Sequence, residues 1–180
     1  MNILELFKKE TLPALKEKLG VKNINAVPTI DKVIVSIGIG SLATRKSVKD
    51  FEEFEKNLKK ITGQKPTLIK SRKSISNFKL REGMPVMLKV TLRRERAYDF
   101  LDRFVKVVLP RVRDFSGLSG KSFDHKGNYS IGLVNYNIFP ELNVDDASTP
   151  MGLQITVVTK GDSDSAKSKA LLESLGLIFK

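Results

Sequence analysis

Hydrophobic and polar residues alternate most regularly over residues 85–93, which is the pattern of a strand with one buried face. Successive side chains of a strand point to opposite faces of its sheet. One face here is entirely aliphatic, with Val86, Leu88, Val90 and Leu92. The other is polar and basic apart from one methionine, with Met87, Lys89, Thr91 and Arg93. We predict that the aliphatic face packs on the core and that the second face is open.

Similar reasoning predicts further strands at 32–38, 65–70, 129–138 and 153–159, and helices at 47–62, 96–109 and 164–175. Residues 3–19 have helical character that Pro13 interrupts, and Gly20 is a plausible stop. Together these elements predict an α+β fold, an antiparallel-rich mixed sheet with helices packed on one face and the other face open. We expect a single domain over residues 1–180, with a basic loop at 70–84.

The helix over 47–62 has the clearest boundaries of the predicted helices. Ser47 and Asp50 could form a capping box at its start, and Gly63 follows its last turn. Its apolar positions recur at helical spacing and form one stripe, with Val48, Phe51, Phe54, Leu58 and Ile61. The stripe predicts that one side of this helix packs on the core.

Composition narrows the function to polyanion binding. The chain of 180 residues has 32 Lys and Arg against 20 Asp and Glu, a net charge of +12 and a pI near 9.9, typical of nucleic-acid-binding proteins. It has no cysteine and a single histidine, His125, so disulfides, thiolate metal sites and histidine-rich zinc sites are excluded. We expect no cofactor, no targeting segment, no membrane partner and a cytoplasmic location.

The positive charge is concentrated in one part of the chain. Residues 65–96 contain ten basic and two acidic residues, so this segment supplies +8 of the net +12. Within it, the loop at 70–84 offers cations for phosphates, hydroxyls for ribose groups and Phe78 for stacking on a base. A merely solvated loop and a merely solvated strand face are the alternatives. We favour RNA because the cations are dense and acids are almost absent.

Residues 139–164 have the opposite charge. This segment contains five acids and one base, Lys160. The acids are Glu141, Asp145, Asp146, Asp162 and Asp164. Such a segment could repel RNA or meet a basic protein, and acidic solubilising loops are an equally good interpretation.

Two sequence patterns imitate catalytic or cofactor sites. The spacing Gly38-x-Gly40-x-x-Ala43 follows a strand like a dinucleotide fingerprint, but the predicted helix starts only at Ser47 and no acid follows the next strand. We therefore assign these glycines to a tight turn or a close backbone approach by a partner. Asp124 and His125 are adjacent in a glycine-rich loop without an identifiable nucleophile, so we predict no catalytic residue.

Ordered motifs along nearly the whole chain resemble the bacterial form of the universal large-subunit ribosomal protein number five. They include 32–40 (KVIVSIGIG), 73–85 (KSISNFKLREGMP), 89–93 (KVTLR), 109–117 (LPRVRDFSG) and 138–141 (IFPE). The resemblance implies a structural protein that binds 5S rRNA and helps attach it to 23S rRNA in the central protuberance.

The resemblance also implies where partners bind. The 5S rRNA contacts would fall on Ser36, Gln64, Lys65, Thr91 and Arg93, and the strand pattern adds Lys89. The loop resembles the segment that reaches peptidyl-site tRNA, through Lys70, Arg72, Lys73, Ser74, Ser76, Asn77, Phe78, Lys79 and Arg81. Loops near 111–117 and 141–147 resemble the region that bridges to small-subunit ribosomal protein thirteen.

The chain departs from the family pattern at three places. Ser36 replaces the usual Asn, Arg94 replaces the usual Gly, and His125 with Lys126 replaces a Gly-Arg pair. The first change weakens the expected contact of residue 36 with RNA, and the second adds a cation. An RNA-binding protein outside the ribosome, an RNA-processing enzyme and a protein-interaction scaffold are the alternative functions.

Overall fold

A five-stranded antiparallel sheet with accompanying helices forms the fold, which confirms the predicted α+β class. The computed structural model describes residues 3–45, 51–113, 115–142 and 150–180. The strand order is β2-β3-β1-β5-β4. The strands are β1 (Thr29–Gly38), β2 (Thr67–Lys70), β3 (Pro85–Arg93), β4 (Tyr129–Leu133) and β5 (Leu153–Lys160). β3 has the bounds that its alternating pattern predicts.

Six α-helices occur among the described residues: α1 (Ile3–Leu6), α2 (Leu12–Leu19), α3 (Gly40–Arg45), α4 (Glu52–Thr62), α5 (Glu95–Arg103) and α6 (Ser165–Ser174). A π-helical turn, Phe7–Thr11, joins α1 to α2 just before Pro13, which cannot donate a backbone hydrogen bond. Gly20 ends α2 in the left-handed conformation, as predicted. In the described parts of the chain, no helix combines the length and apolarity that crossing a membrane requires.

The chain divides into two compact units, each discontinuous in sequence. Unit 1 comprises residues 1–33, 92–131 and 155–180, and unit 2 comprises 34–91 and 132–154. The expectation of a single domain stays a prediction.

In unit 1, helices pack around a core that Tyr98 of α5 anchors. α5 contacts α1, and α2 contacts α6. The Tyr98 ring lies 5.1 Å from the Phe7 ring, and the Tyr98 hydroxyl accepts a hydrogen bond of 3.4 Å from the backbone N–H of Ile30. Leu101 of α5 is also buried, and so is Phe104 directly after α5, as their helical spacing predicts.

In unit 2, α4 buries the apolar stripe that its sequence predicts. Phe54, Leu58 and Ile61 are all buried. Asn57 lies on the same helix and donates its amide hydrogen to the Tyr136 hydroxyl at 3.5 Å, so one polar pair accompanies the apolar contacts. The predicted capping residues Ser47 and Asp50, and Val48 of the stripe, lie outside the described residues.

Several elements differ from prediction. Helix α4 begins at Glu52 after the N-cap Phe51 and not at Ser47, while β1 begins earlier, at Thr29, and β2 later, at Thr67. The strand predicted over 129–138 ends at Leu133, and a 3₁₀ turn, Tyr136–Ile138, buries the ring of Tyr136 instead. The helix predicted over 96–109 continues through a π-helical turn into the 3₁₀ turn Leu109–Arg111. Pro110 is accommodated there because the first positions of a helical turn need no N–H donor. Helix α3 was not predicted at all.

We predict that the protein loses stability in alkali because the buried phenol of Tyr98 ionises there. Burial raises the pKa of Tyr98 from 10.0 to about 12, against a smaller lowering by the Ile30 hydrogen bond. The folded state therefore holds this proton more tightly than the unfolded chain does. The contribution of Tyr98 to the unfolding free energy should be constant below pH 10, and about 2–3 kcal/mol of it should be lost as the pH rises through 12.

Urea unfolding at pH 9 and pH 11, on the wild type and on Tyr98→Phe, measures about half of this contribution, because pH 11 lies midway between the two pKa values. Burial also raises the pKa values of Tyr129 and Tyr136, so some alkaline loss should remain in the variant. An identical loss in both proteins would show that Tyr98 contributes nothing to it.

Candidate nucleic-acid interface

Strand β3 separates an apolar inner face from a polar outer face, as its sequence predicts. Leu88, Val90 and Leu92 are at most 1% exposed. On the other face Lys89 and Thr91 are half-buried and Arg93 is exposed. The outer side chains project from a backbone that the inner ones fix in the core. The strand therefore presents a donor-rich row in a defined register.

Ser36 lies on β1, which neighbours β3 in the sheet, as expected. It alternates with the buried residues Val35 and Ile37, so its position belongs to the outer face. The residue is nevertheless only 8% exposed. The contact of Ser36 with RNA therefore stays a prediction, and it would require the residue to become more accessible when RNA binds.

Gln64 and Lys65 follow the C-terminus of α4. Gly63 ends the helix in the left-handed conformation, with φ of 67°, and its N–H donates to the carbonyl of Lys59. The Thr62 hydroxyl donates to the Leu58 carbonyl at 2.7 Å and lies 3.1 Å from the Gln64 carbonyl, which fixes the turn. The turn thus holds Gln64 half-buried and Lys65 exposed.

Lys65 and Arg93 each have one carboxylate partner. The Lys65 ammonium lies 3.5 Å from Glu55, and its side chain is 80% exposed. The Arg93 guanidinium lies 3.6 Å from Asp31, and its side chain is 57% exposed. Exposed pairs of this kind contribute about 0–1 kcal/mol, so a phosphate could displace either carboxylate at small cost. The pairing of Asp31 with Arg93 could not be predicted from the sequence, because nothing in the linear pattern connects two residues so far apart.

The predicted loop at 70–84 is an ordered hairpin, which we call the basic hairpin. Ser71 donates to the Met84 carbonyl at 2.8 Å and accepts from the Gly83 N–H at 3.0 Å, which closes the base. Ile75 and Leu80 exchange backbone hydrogen bonds of 2.9 and 3.1 Å near the tip. These bonds fix the hairpin without a hydrophobic core of its own.

The basic hairpin brings together the nine residues expected to approach tRNA, and all are exposed: Lys70, Arg72, Lys73, Ser74, Ser76, Asn77, Phe78, Lys79 and Arg81. Phe78 is the aromatic residue among these nine, and it is 72% exposed. Lys79 next to it has φ of 52°, a left-handed turn conformation. An exposed ring beside several cations is suited to stacking and phosphate contact.

Two family models cover almost the whole chain. The model described as ribosomal protein L5 matches residues 23–81, and the model of the C-terminus of the same ribosomal family matches residues 85–179. The chain belongs to the ribosomal protein L5 family. The first L5 match ends within the basic hairpin, and the second begins at the first residue of β3.

Curated relatives support membership of the L5 family over full length. The large ribosomal subunit protein uL5 of Natranaerobius thermophilus is 48% identical over 178 residues, covering 99% of this chain and 98% of the relative. The uL5 proteins of Citrifermentans bemidjiense and Caldanaerobacter subterraneus are 49% and 47% identical, each with the same two shares covered. The chain is thus a ribosomal protein of the large subunit and works in the ribosome, in the cytoplasm.

The L5 family is a family of structural ribosomal constituents rather than of enzymes. The acid beside His125 has a structural role in the fold. The Asp124 carboxylate accepts hydrogen bonds from the backbone N–H of Lys126 at 2.9 Å and of Asn128 at 2.7 Å. The side chain of Asn128 contributes most to the lowering of the pKa of Asp124. Asp124 therefore shapes a turn.

The glycine pattern after β1 needs a corrected explanation in this L5 family member. Helix α3 begins at Gly40, so the argument that the next helix starts only at Ser47 was wrong. The antiparallel sheet still lacks the parallel βαβ unit of a dinucleotide site. A Cβ on Gly40 would lie 3.5 Å from Val86, an ordinary contact, while the Ile39 N–H bonds the Val86 carbonyl at 2.9 Å. The approach of a partner to these glycines stays a prediction.

Proposed function

We propose that this L5 family member binds 5S rRNA through the outer face of β3 and the turn after α4, and helps attach that RNA to 23S rRNA in the central protuberance. The observation that carries the proposal is the row Lys89, Thr91 and Arg93 on a strand whose inner face is buried. Lys65 and Gln64 at the end of α4 add a second set of donors. Ser36 can take part only if RNA binding uncovers it.

The way this surface would recognise RNA follows from the hydrogen-bond donors that it presents. Lys89 and Arg93 would neutralise phosphates, and Thr91 and Gln64 would bond ribose hydroxyls or exposed base edges. A strand fixed by its buried inner face matches a prefolded RNA by shape, with little conformational entropy to lose. Affinity should therefore depend strongly on salt, because each neutralised phosphate releases counterions.

We assign the basic hairpin to peptidyl-site tRNA. Its exposed ring and cations belong to a segment that backbone hydrogen bonds shape in advance. We also assign the segments near 111–117 and 141–147 to a bridge with small-subunit ribosomal protein thirteen. Arg111 and Arg113 are exposed. Asp145 and Asp146, the acids of the segment 141–147, lie outside the described residues.

Removing one outer cation from β3 should weaken 5S rRNA binding. Arg93→Ala and Lys89→Ala should each lose about 1–3 kcal/mol in a filter-binding titration, the value of a charge-assisted hydrogen bond. Asp31→Asn removes the carboxylate that competes for Arg93, so it should strengthen binding by up to about fivefold.

Lys126→Ala is the matched control, since it removes an exposed cation from a turn to which we assign no RNA contact. Its affinity should stay within about twofold of the wild type. If Arg93→Ala and Lys89→Ala both bind 5S rRNA like the wild type, the outer face of β3 is not the site.

A change at the hairpin tip should affect tRNA and spare 5S rRNA. Phe78→Ala combined with Lys79→Gly removes the ring and one cation, while glycine suits the left-handed conformation of residue 79. Ribosomes reconstituted with this variant should bind peptidyl-site tRNA about tenfold more weakly, consistent with loss of one stacking contact. A variant that binds tRNA normally but loses 5S rRNA would reverse the assignment.

A further inference from the structure

A large cavity opens in unit 1 where β1 begins and where β3 and β5 end. Its volume is about 1010 Å³, in the range of pockets that hold small ligands. Every lining residue belongs to unit 1. The resemblance assigns the cavity no ligand, and it shares only Arg93 with the proposed 5S rRNA contacts.

Cations dominate the rim of this cavity. Arg93, Arg94, Arg96 and Lys160 line it, against two acids, Asp31 and Glu95. Asp31 already pairs with Arg93. Within the described part of the chain, no carboxylate forms an ion pair with Arg94, Arg96 or Lys160. The four cations minus the two acids leave the rim with a net charge of +2, which fits a phosphate.

The backbone at Arg94 is in a conformation that glycine would adopt without strain. Its φ is 51° and its ψ is −132°, so the Cβ of an arginine is crowded there. Strained residues of this kind cluster at functional sites, where the side chain is needed. The strain adds an independent reason to look for a ligand of the Arg94 guanidinium.

The floor of the cavity is apolar. Leu4 and Leu12 are half-buried and line it together with Phe7 and Tyr98, whose rings pack on each other. A cationic rim beside an apolar floor matches a ligand that has a phosphate next to a flat, weakly polar group. A nucleotide has both parts, whereas inorganic phosphate would leave the floor unused.

We propose that this cavity receives one unpaired nucleotide of an RNA chain. Its phosphate would lie against Arg94, Arg96 and Lys160, and its base would lie on Leu4 and Leu12. RNA is favoured over a free nucleotide because Arg93, the neighbour of Arg94, extends the same positive surface along β3. The choice of RNA as the ligand rests on the proposed RNA contact of β3, whereas the phosphate site at Arg94, Arg96 and Lys160 does not.

Fluorescence anisotropy on the full-length protein tests the proposal with two probes: a labelled single-stranded uridine octamer, and inorganic polyphosphate of matched charge as a competitor without bases. Arg94→Gly should weaken binding of both about tenfold, the loss of one charge-assisted hydrogen bond. Its salt slope for the octamer should fall by about 0.7. The same variant should unfold at a higher urea concentration, since glycine relieves the strain.

Leu12→Asn keeps every cation but makes the floor of the cavity polar. It should therefore weaken binding of the octamer and leave binding of polyphosphate unchanged. Lys126→Gln, the charge control outside the cavity, should bind both like the wild type. Uridine monophosphate should compete only weakly, because it lacks the neighbouring phosphates.

Three results would overturn the proposal. Unchanged octamer binding in Arg94→Gly would remove the phosphate site. Equal losses for the octamer and polyphosphate in Leu12→Asn, or no loss for either, would remove the base site. Uridine monophosphate binding as tightly as the octamer would make this a free-nucleotide site. The octamer has no 5S rRNA fold, so these outcomes are distinct from failure of the β3 assignment.

Discussion

Burial of the aliphatic face of β3 is the interaction on which the proposed interface depends. Leu88, Val90 and Leu92 are almost completely removed from solvent, and each such side chain contributes about 1.5–3 kcal/mol. A slip of one residue would expose all three and place Lys89 and Arg93 in the core. The register of the strand is therefore fixed by its apolar side, and the cations on the other side are fixed with it.

The electrostatics follow from that placement. Acids near the interface are few, and where they occur, as at Asp31 and Glu55, they pair with exposed cations. Such pairs are weak in water and readily exchange a carboxylate for a phosphate. The same reasoning extends to the cavity, where strain at Arg94 and three cations without carboxylate partners among the described residues mark a second surface for RNA.

Elements with long, regular patterns could be predicted from the sequence. β3 and the apolar stripe of α4 are examples, because nine or more residues repeat one period. Helix α3 was missed because its six residues are too few to show a helical period and its first residue, Gly40, is a poor helix former. β4 was predicted too long because the sequence did not show that Tyr136 would be buried with Asn57.

The candidate site was only partly predictable. Alternation placed Lys89, Thr91 and Arg93 on one face, and charge density identified the basic hairpin. Local patterns could not show the burial of Ser36, the pairing of Arg93 with Asp31, or the cavity at Arg94, because each depends on residues distant in sequence. The hydrogen bonds that order the hairpin were likewise invisible to composition.

Methionine oxidation tests the central claim most directly, since Met87 lies on the outer face of β3 and Met151 lies away from it in sequence, just before β5. Both are half-buried, so their rates of sulfoxide formation can be compared by mass spectrometry with and without bound 5S rRNA. We predict that the RNA slows oxidation of Met87 and leaves Met151 unchanged. Unchanged oxidation of Met87 in the complex would contradict the placement of RNA on the outer face of β3.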